Sequence, residues 1–144
     1  MGSVAFTFDP VRSSTEEWTV VQREEETVAD AALFIGFGEV VRGREKRALK
    51  NFNESTEYYT GLQNEGRIES FDVVLLGPHA RLNGFVVMRG TEEQLDAVRH
   101  SKEFRVQVAR ARLIVDDLVI AEAYVGEGLA QVLSEYQEEL KQLD

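Results

Sequence analysis

In this 144-residue chain, the side chains that could take part in a reaction are two histidines and a few charged residues. His79 and Arg81 lie in a polar stretch, residues 77–81, between two apolar runs. Loops on a rigid scaffold often carry catalytic side chains, and an imidazole can act as a general base near neutral pH. The sequence matches no nucleophile or orienting group to it. His79 is therefore a candidate catalytic residue, with an exposed loop histidine as the alternative.

The chain has few side chains that could bind a metal or a cofactor. His100 is the only other histidine, so one chain cannot supply a three-histidine zinc site, and the absence of cysteine excludes thiol chemistry. One axial histidine would be enough for heme, but no motif selects either histidine. We expect no metal and no cofactor; a site of histidine and carboxylate shared between subunits stays open as an alternative.

Basic residues cluster between positions 42 and 50 of an otherwise acidic chain. Arg42 and Arg44 flank Gly43 at the start of a predicted helix, where the helix dipole disfavours positive charge. Backbone donors at the turn and the two guanidinium groups could hold a carboxylate or phosphate. We predict an anion contact at Arg42 and Arg44; pairing with the acidic run at residues 24–26 is the alternative.

Charge and length exclude several classes of partner. The 16 Lys and Arg residues against 26 Asp and Glu give a net charge of −10, which opposes binding to nucleic acid or anionic lipid. No apolar run is long enough to span a bilayer, and the N-terminus lacks the pattern of a signal peptide. We therefore expect a cytoplasmic protein, with residues 1–30 as an extension or arm and residues 31–144 as one domain.

Hydrophobic periodicity orders the elements that must position these residues. An apolar run at 33–41 predicts a strand, apolar spacing over 44–63 predicts a helix, and Gly66 stands where a left-handed cap ends it. The runs at 68–76 and 82–89 predict a strand hairpin.

The second half of the chain repeats the pattern. Thr91 and Gln94 form a capping box that starts a helix, and Ser101 offers a second cap, so this helix breaks near His100. A strand at 118–125 follows. An amphipathic helix over residues 127–140 ends the chain and needs a surface to cover.

The strand and helix order βαββαβ predicts an α+β, ferredoxin-like fold with an antiparallel sheet. Helices cover one face of such a sheet, so the other face should alternate with polar residues if it met water. The strands are apolar on both faces instead: Phe34 alternates with Leu33 and Ile35. We therefore expect a homodimer in which two sheets pack together.

Element order and the interrupted helix at residues 99–104 resemble the dimeric α/β-barrel superfamily, over residues 31–125. That resemblance implies ferredoxin-like units paired sheet to sheet. Its members include cofactor-independent monooxygenases, heme-dependent enzymes, isomerases and ligand-binding regulators, so whether this chain is an enzyme stays open.

Strand parity predicts which side chains line the interior of such a barrel, because residues two apart share a face. Val119, Ala121 and Ala123 are small and suit packing against helices. The predicted ligand-binding residues are then Phe37, Glu39, Phe85, Arg89, Glu122 and Tyr124. Strand-end charges or an intersubunit salt bridge are the alternative for the three charged residues.

These observations give one leading hypothesis and two alternatives. The leading one is binding of a small apolar or aromatic molecule inside a dimeric barrel. The first alternative is a cofactor-independent monooxygenase that uses His79 as base. The second is a structural interaction module that assembles through its C-terminal helix.

Overall fold

A computed structural model of the chain describes residues 3–8, 18–23, 29–77 and 81–143. The strands are β1 Ser3–Phe8, β2 Trp18–Arg23, β3 Ala31–Phe37, β4 Ser70–Leu75, β5 Gly84–Gly90 and β6 Val119–Tyr124. The helices are α1 Glu45–Asn64, α2 Glu92–Arg99, α3 Lys102–Arg112 and α4 Gly126–Leu143.

The main sheet has four strands in the order β4-β5-β3-β6, and every neighbouring pair is antiparallel. With α1 after β3 and α2 and α3 after β5, this is the ferredoxin-like α+β fold, as the element order predicted. The strands β1 and β2 pair antiparallel in a separate two-stranded sheet.

Local sequence signals set the helix ends as expected. Thr91 accepts a hydrogen bond from the Gln94 amide while the Gln94 side chain accepts one from the Thr91 amide, which is the predicted capping box. Ser101 caps α3, so the predicted break after α2 is confirmed. Gly66 has φ +73° after α1, a left-handed conformation that favours glycine.

The two faces of the sheet differ in cover. The covered face packs under α1, α2 and α3, and its centre is Leu33, Ile35, Val86 and Met88, which are 0–7% exposed. The open face carries the alternate residues of the same strands: Phe34 and Gly36 of β3, Phe85, Val87 and Arg89 of β5, Asp72 and Val74 of β4, and Ala121 and Ala123 of β6.

Register contradicts the predicted parity of β6. Leu33 pairs with Glu122 and Ile35 pairs with Ile120, so these β6 residues share the covered face. The small residues Ala121 and Ala123 lie on the open face instead. The small size of these side chains was a poor guide, because size does not fix which face of the sheet a residue lies on. The register of β6 with its hydrogen-bonded partner β3 fixes it.

The first core strand is shorter than its apolar run. It ends at Phe37, after which the Gly38 amide donates to Asp116 O at 2.8 Å and Val40 makes an isolated bridge with Val115. A Cβ on Gly38 would lie 2.7 Å from Arg81 O, so only glycine allows this close approach. Glu39 therefore lies beyond the sheet and is exposed.

Helix α4 has no buried residue, and its apolar side chains Leu129, Leu133, Tyr136 and Leu140 are 43–64% exposed. It contacts β1 and β6. Over the described ranges, no helix is both long and apolar enough to cross a membrane.

Candidate functional site

An apolar cavity of about 460 Å³ lies on the covered face of the sheet, between α1, α3 and the strands β3, β4 and β5. This volume is within the usual range for sites that hold a small organic molecule. Helix α1 forms one wall, the loop after α3 forms another, and the sheet forms the floor.

The cavity is closed at the back by core residues and opens between exposed apolar side chains. Ile35, Tyr59 and Val86 at the back are 5–7% exposed. Leu49 and Leu75 at the mouth are 65% and 66% exposed. Exposed leucines around an opening are typical of a surface that receives an apolar partner.

Phe37 lines the cavity because β5 has a glycine beside it. A Cβ at Gly84 would lie 2.6 Å from Phe37 Cζ, so a larger residue there would displace the ring. Gly84 is the register partner of Phe37. The position of this aromatic wall thus depends on a pair of residues on two strands.

Two asparagines, a serine and a threonine interrupt the described apolar lining: Asn51, Ser55, Thr56 and Asn83. The Ser55 hydroxyl donates to Gln107 Oε1 at 2.9 Å, and the Thr56 hydroxyl donates to Phe52 O at 2.9 Å. Both hydroxyl oxygens keep acceptor capacity, and the two amide side chains supply donors as well as acceptors. A ligand with one or two polar groups could be oriented by them.

Tyr59 and Glu45 are the titratable residues of the described lining. Burial, with a smaller contribution from the neighbouring Tyr58, raises the pKa of Tyr59 to about 12. Hydrogen bonds from its own backbone amide and from that of Gly43 lower the pKa of Glu45. At neutral pH the site therefore presents a neutral phenol that can donate a hydrogen bond and a carboxylate already engaged at the start of α1.

The structure divides the predicted ligand-binding residues among several places. Phe37 lines the apolar cavity. Phe85 and Arg89 lie on the open face, where the Phe85 ring is 5.3 Å from that of Phe34 and Arg89 forms an ion pair with Asp72. The prediction that all six residues face one interior is therefore wrong.

Glu122 and Tyr124 line a different cavity, of about 320 Å³, between α2, β6 and the start of α4. Glu122 lies 3.6 Å from Arg99, and its other charged neighbours there include Glu92, Asp96 and Glu127. Most of the charges in this cavity are negative, so the positive charge of Arg99 offsets part of them. Among the described residues, no group of three or more His, Asp or Glu is arranged to hold a metal ion.

The basic cluster borders a groove of about 620 Å³ at the start of α1. Arg44 lines this groove and donates through Nη1 to Leu113 O at 2.7 Å, while Arg42 is exposed outside it. Arg47, Lys50 and Arg110 line it as well.

The two histidines lie apart from these cavities or outside the part of the chain that the structure describes. His79 lies outside the described residues. His100 is exposed and ends α2, with its Nδ1 2.8 Å from Asp96 O.

Sequence reasoning missed the polar residues of the apolar cavity. Asn51, Ser55 and Tyr59 recur at a spacing of four along α1, which places them on one helix face. That mixed face was the available signal, because a helix that only packs against a core would be apolar there. Asn83 had no such signal, since its place depends on the β4–β5 connection.

No protein-family model matches the sequence, and no curated protein matches it. Among solved structures, the fold resembles a crystal structure described as a dimeric protein of unknown function and ferredoxin-like fold from Bacteroides fragilis. The TM-score is 0.51 at 11% sequence identity, and the match covers 66% of this chain and 96% of the other. This similarity defines the class of the protein at the level of its fold: ferredoxin-like.

Proposed function

We propose that this protein is a homodimer that binds a small, largely apolar or aromatic molecule. The observation that supports it best is the cavity of about 460 Å³ under α1, which combines apolar walls with a few polar side chains. A binding role fits this lining better than acid–base catalysis, because Tyr59 keeps its proton at neutral pH and Glu45 already accepts backbone hydrogen bonds.

The open face supports the homodimer. Phe34 and Phe85 form an aromatic pair there, and Val87 and Val74 extend the apolar surface, all of them partly exposed. The helices α1, α2 and α3 pack on the opposite side of the sheet, so these three helices do not cover this surface. A second copy that pairs sheet to sheet would cover it, as in the dimeric α/β-barrel superfamily, with residues 1–30 as an arm beside the domain.

In such a dimer the ligand lies under the helices of each subunit rather than between the sheets. Phe85 and Arg89 then belong to the subunit interface, and the Arg89–Asp72 ion pair supplies polar groups at that interface. Of the six predicted ligand residues, the proposed site keeps Phe37.

Filling the cavity tests the binding function. Ala111 lines it from α3, so Ala111→Phe should place a ring in the cavity and weaken binding of the neutral fluorescent probe N-phenyl-1-naphthylamine by more than tenfold. Ala48→Leu fills it from α1 with a smaller side chain, in case the larger residue prevents folding.

Ala109→Phe is the matched control, because Ala109 is an exposed residue of the same helix and does not line the cavity. Probe binding that survives in both cavity variants, with the fold intact by circular dichroism, would contradict the proposed site. Loss in the two cavity variants and not in Ala109→Phe would support it.

A further inference from the structure

The apolar cavity and the basic groove at the start of α1 are neighbours. Both are lined by Asn51 of α1 and by Ile114, which follows α3. Asn51 comes one helical turn after Arg47, so the two positions are about 6 Å apart along the helix axis. Apolar and cationic surfaces therefore meet across a single turn of α1.

The groove concentrates positive charge in a chain whose net charge is −10. Arg44, Arg47 and Lys50 line it from the start of α1, and Arg110 lines it from α3. Among the described residues, Glu54 is the one acidic residue that lines the groove, and its Oε2 lies 3.9 Å from Arg110 Nη1. Like charges that line one groove repel one another, so an anion bound there would reduce this repulsion.

Two of these cations form no ion pair with a carboxylate of the described residues. Arg44 is engaged by the Leu113 carbonyl and Arg110 by Glu54. Arg47 and Lys50 are exposed, and within the described ranges no carboxylate lies within 4.0 Å of either. Their side chains can therefore reach a ligand without breaking an ion pair to the part of the chain that the structure describes.

We propose that the ligand is an amphipathic anion, whose apolar body occupies the cavity under α1 and whose single anionic group lies in the basic groove beside Arg47 and Lys50. This inference rests on the proposed binding function and specifies its ligand class. A carboxylate matches the guanidinium and ammonium donors in charge and hydrogen bonding. The partner is a free small molecule, since the cavity volume suits a short chain or one or two rings.

Displacement of N-phenyl-1-naphthylamine by a matched pair of ligands tests the charge requirement. Decanoate and 1-decanol have the same chain length and differ in charge. In Arg47→Gln/Lys50→Gln, the displacement midpoint of decanoate should rise about tenfold, because two exposed charges beside the anionic group are lost, while that of 1-decanol stays unchanged. In the original protein, raising the salt concentration should weaken the binding of decanoate and leave the binding of 1-decanol unchanged.

Lys102→Gln/Arg105→Gln is the control, because it removes the same charge from exposed positions of α3 that do not line the groove. If the displacement midpoint of decanoate rises equally in both double variants, or rises in neither, the inference that an anionic group lies in the groove is overturned. If neither ligand displaces the probe and Ala111→Phe has no effect, the binding function itself fails.

Vesicles separate a free amphiphile from a membrane surface. Vesicles of phosphatidylcholine with phosphatidylserine should not bind the protein, given its overall negative charge. Vesicle binding that disappears in Arg47→Gln/Lys50→Gln, without selective displacement by decanoate, would overturn the inference in favour of a lipid headgroup.

Discussion

The covered and open faces of the four-stranded sheet are built from alternate residues of the same strands, and both are apolar. On the covered face Leu33 is 2% exposed and Met88 is fully buried. Their neighbours on the open face, Phe34 and Val87, are only partly buried. The difference shows that an apolar residue in a strand does not by itself report burial, because cover comes from the elements packed on each face.

The two faces should respond differently to truncation, and Leu33→Ala should give the largest effect. Its side chain is enclosed under the helices, so removal leaves a cavity and lowers the free energy of unfolding by about 3–5 kcal/mol. Urea denaturation at two protein concentrations measures the loss, which should be the same at both.

Phe34→Ala is the comparison, since Phe34 is the next residue and faces the opposite way. The free energy of unfolding that Phe34→Ala loses should grow with protein concentration, because a second copy covers this side chain in the proposed dimer. Equal, concentration-independent losses at both positions would contradict the contrast between the faces.

The covered face should also make stability depend on alkaline pH. Burial raises the pKa of Tyr59 to about 12, whereas an unfolded tyrosine ionises near pH ~10. Between these values the unfolded chain loses the proton and the folded chain keeps it, so stability present below pH ~10 falls as pH rises to about 12, by about 3 kcal/mol in all.

Urea denaturation at a series of alkaline pH values measures this slope, and absorbance at 295 nm follows tyrosinate formation. Tyr59→Phe should flatten the slope. A variant whose stability declines with pH as steeply as that of the original protein would show that another group is responsible.

The open face should control association with a smaller effect. Phe85→Lys places a charge in the proposed sheet-to-sheet interface and should weaken the dimer by about 2 kcal/mol, or about thirtyfold. Val106→Lys is the control, because Val106 is 37% exposed on α3 and outside the open face. Sedimentation velocity over a concentration series measures both.

A Phe85→Lys protein that associates as strongly as Val106→Lys would place the interface elsewhere. The exposed apolar stripe of α4, Leu129 to Leu140, would then be the next surface to test. In either case the fold of the monomer should be unchanged, because neither side chain belongs to the buried core.

Much of the fold could be predicted because its signals are local. The capping box at Thr91, the cap at Ser101 and the left-handed Gly66 each depend on a few consecutive residues, and all three were confirmed. The order of strands and helices along the chain followed from the hydrophobic periodicity, and it was confirmed.

The candidate site was harder to predict because it depends on pairing between distant segments. Parity put Phe85 and Arg89 on one face of β5 correctly, but it could not relate β3 and β6 to β5. Phe37, Glu122 and Tyr124 were therefore placed on the wrong face. A shift of one residue in register reverses every side chain of a strand, and nothing local in β6 sets that register.

The sequence by itself determined the element order, the helix caps, the apolar character of both sheet faces and the basic cluster at the start of α1. Only the tertiary structure decided which apolar residues are covered, and that Asn51 and Ile114 join an apolar cavity to a cationic groove. The physical reason is range: propensity and capping act within a few residues, whereas cavities form where α1, α3 and the sheet meet from separate parts of the chain.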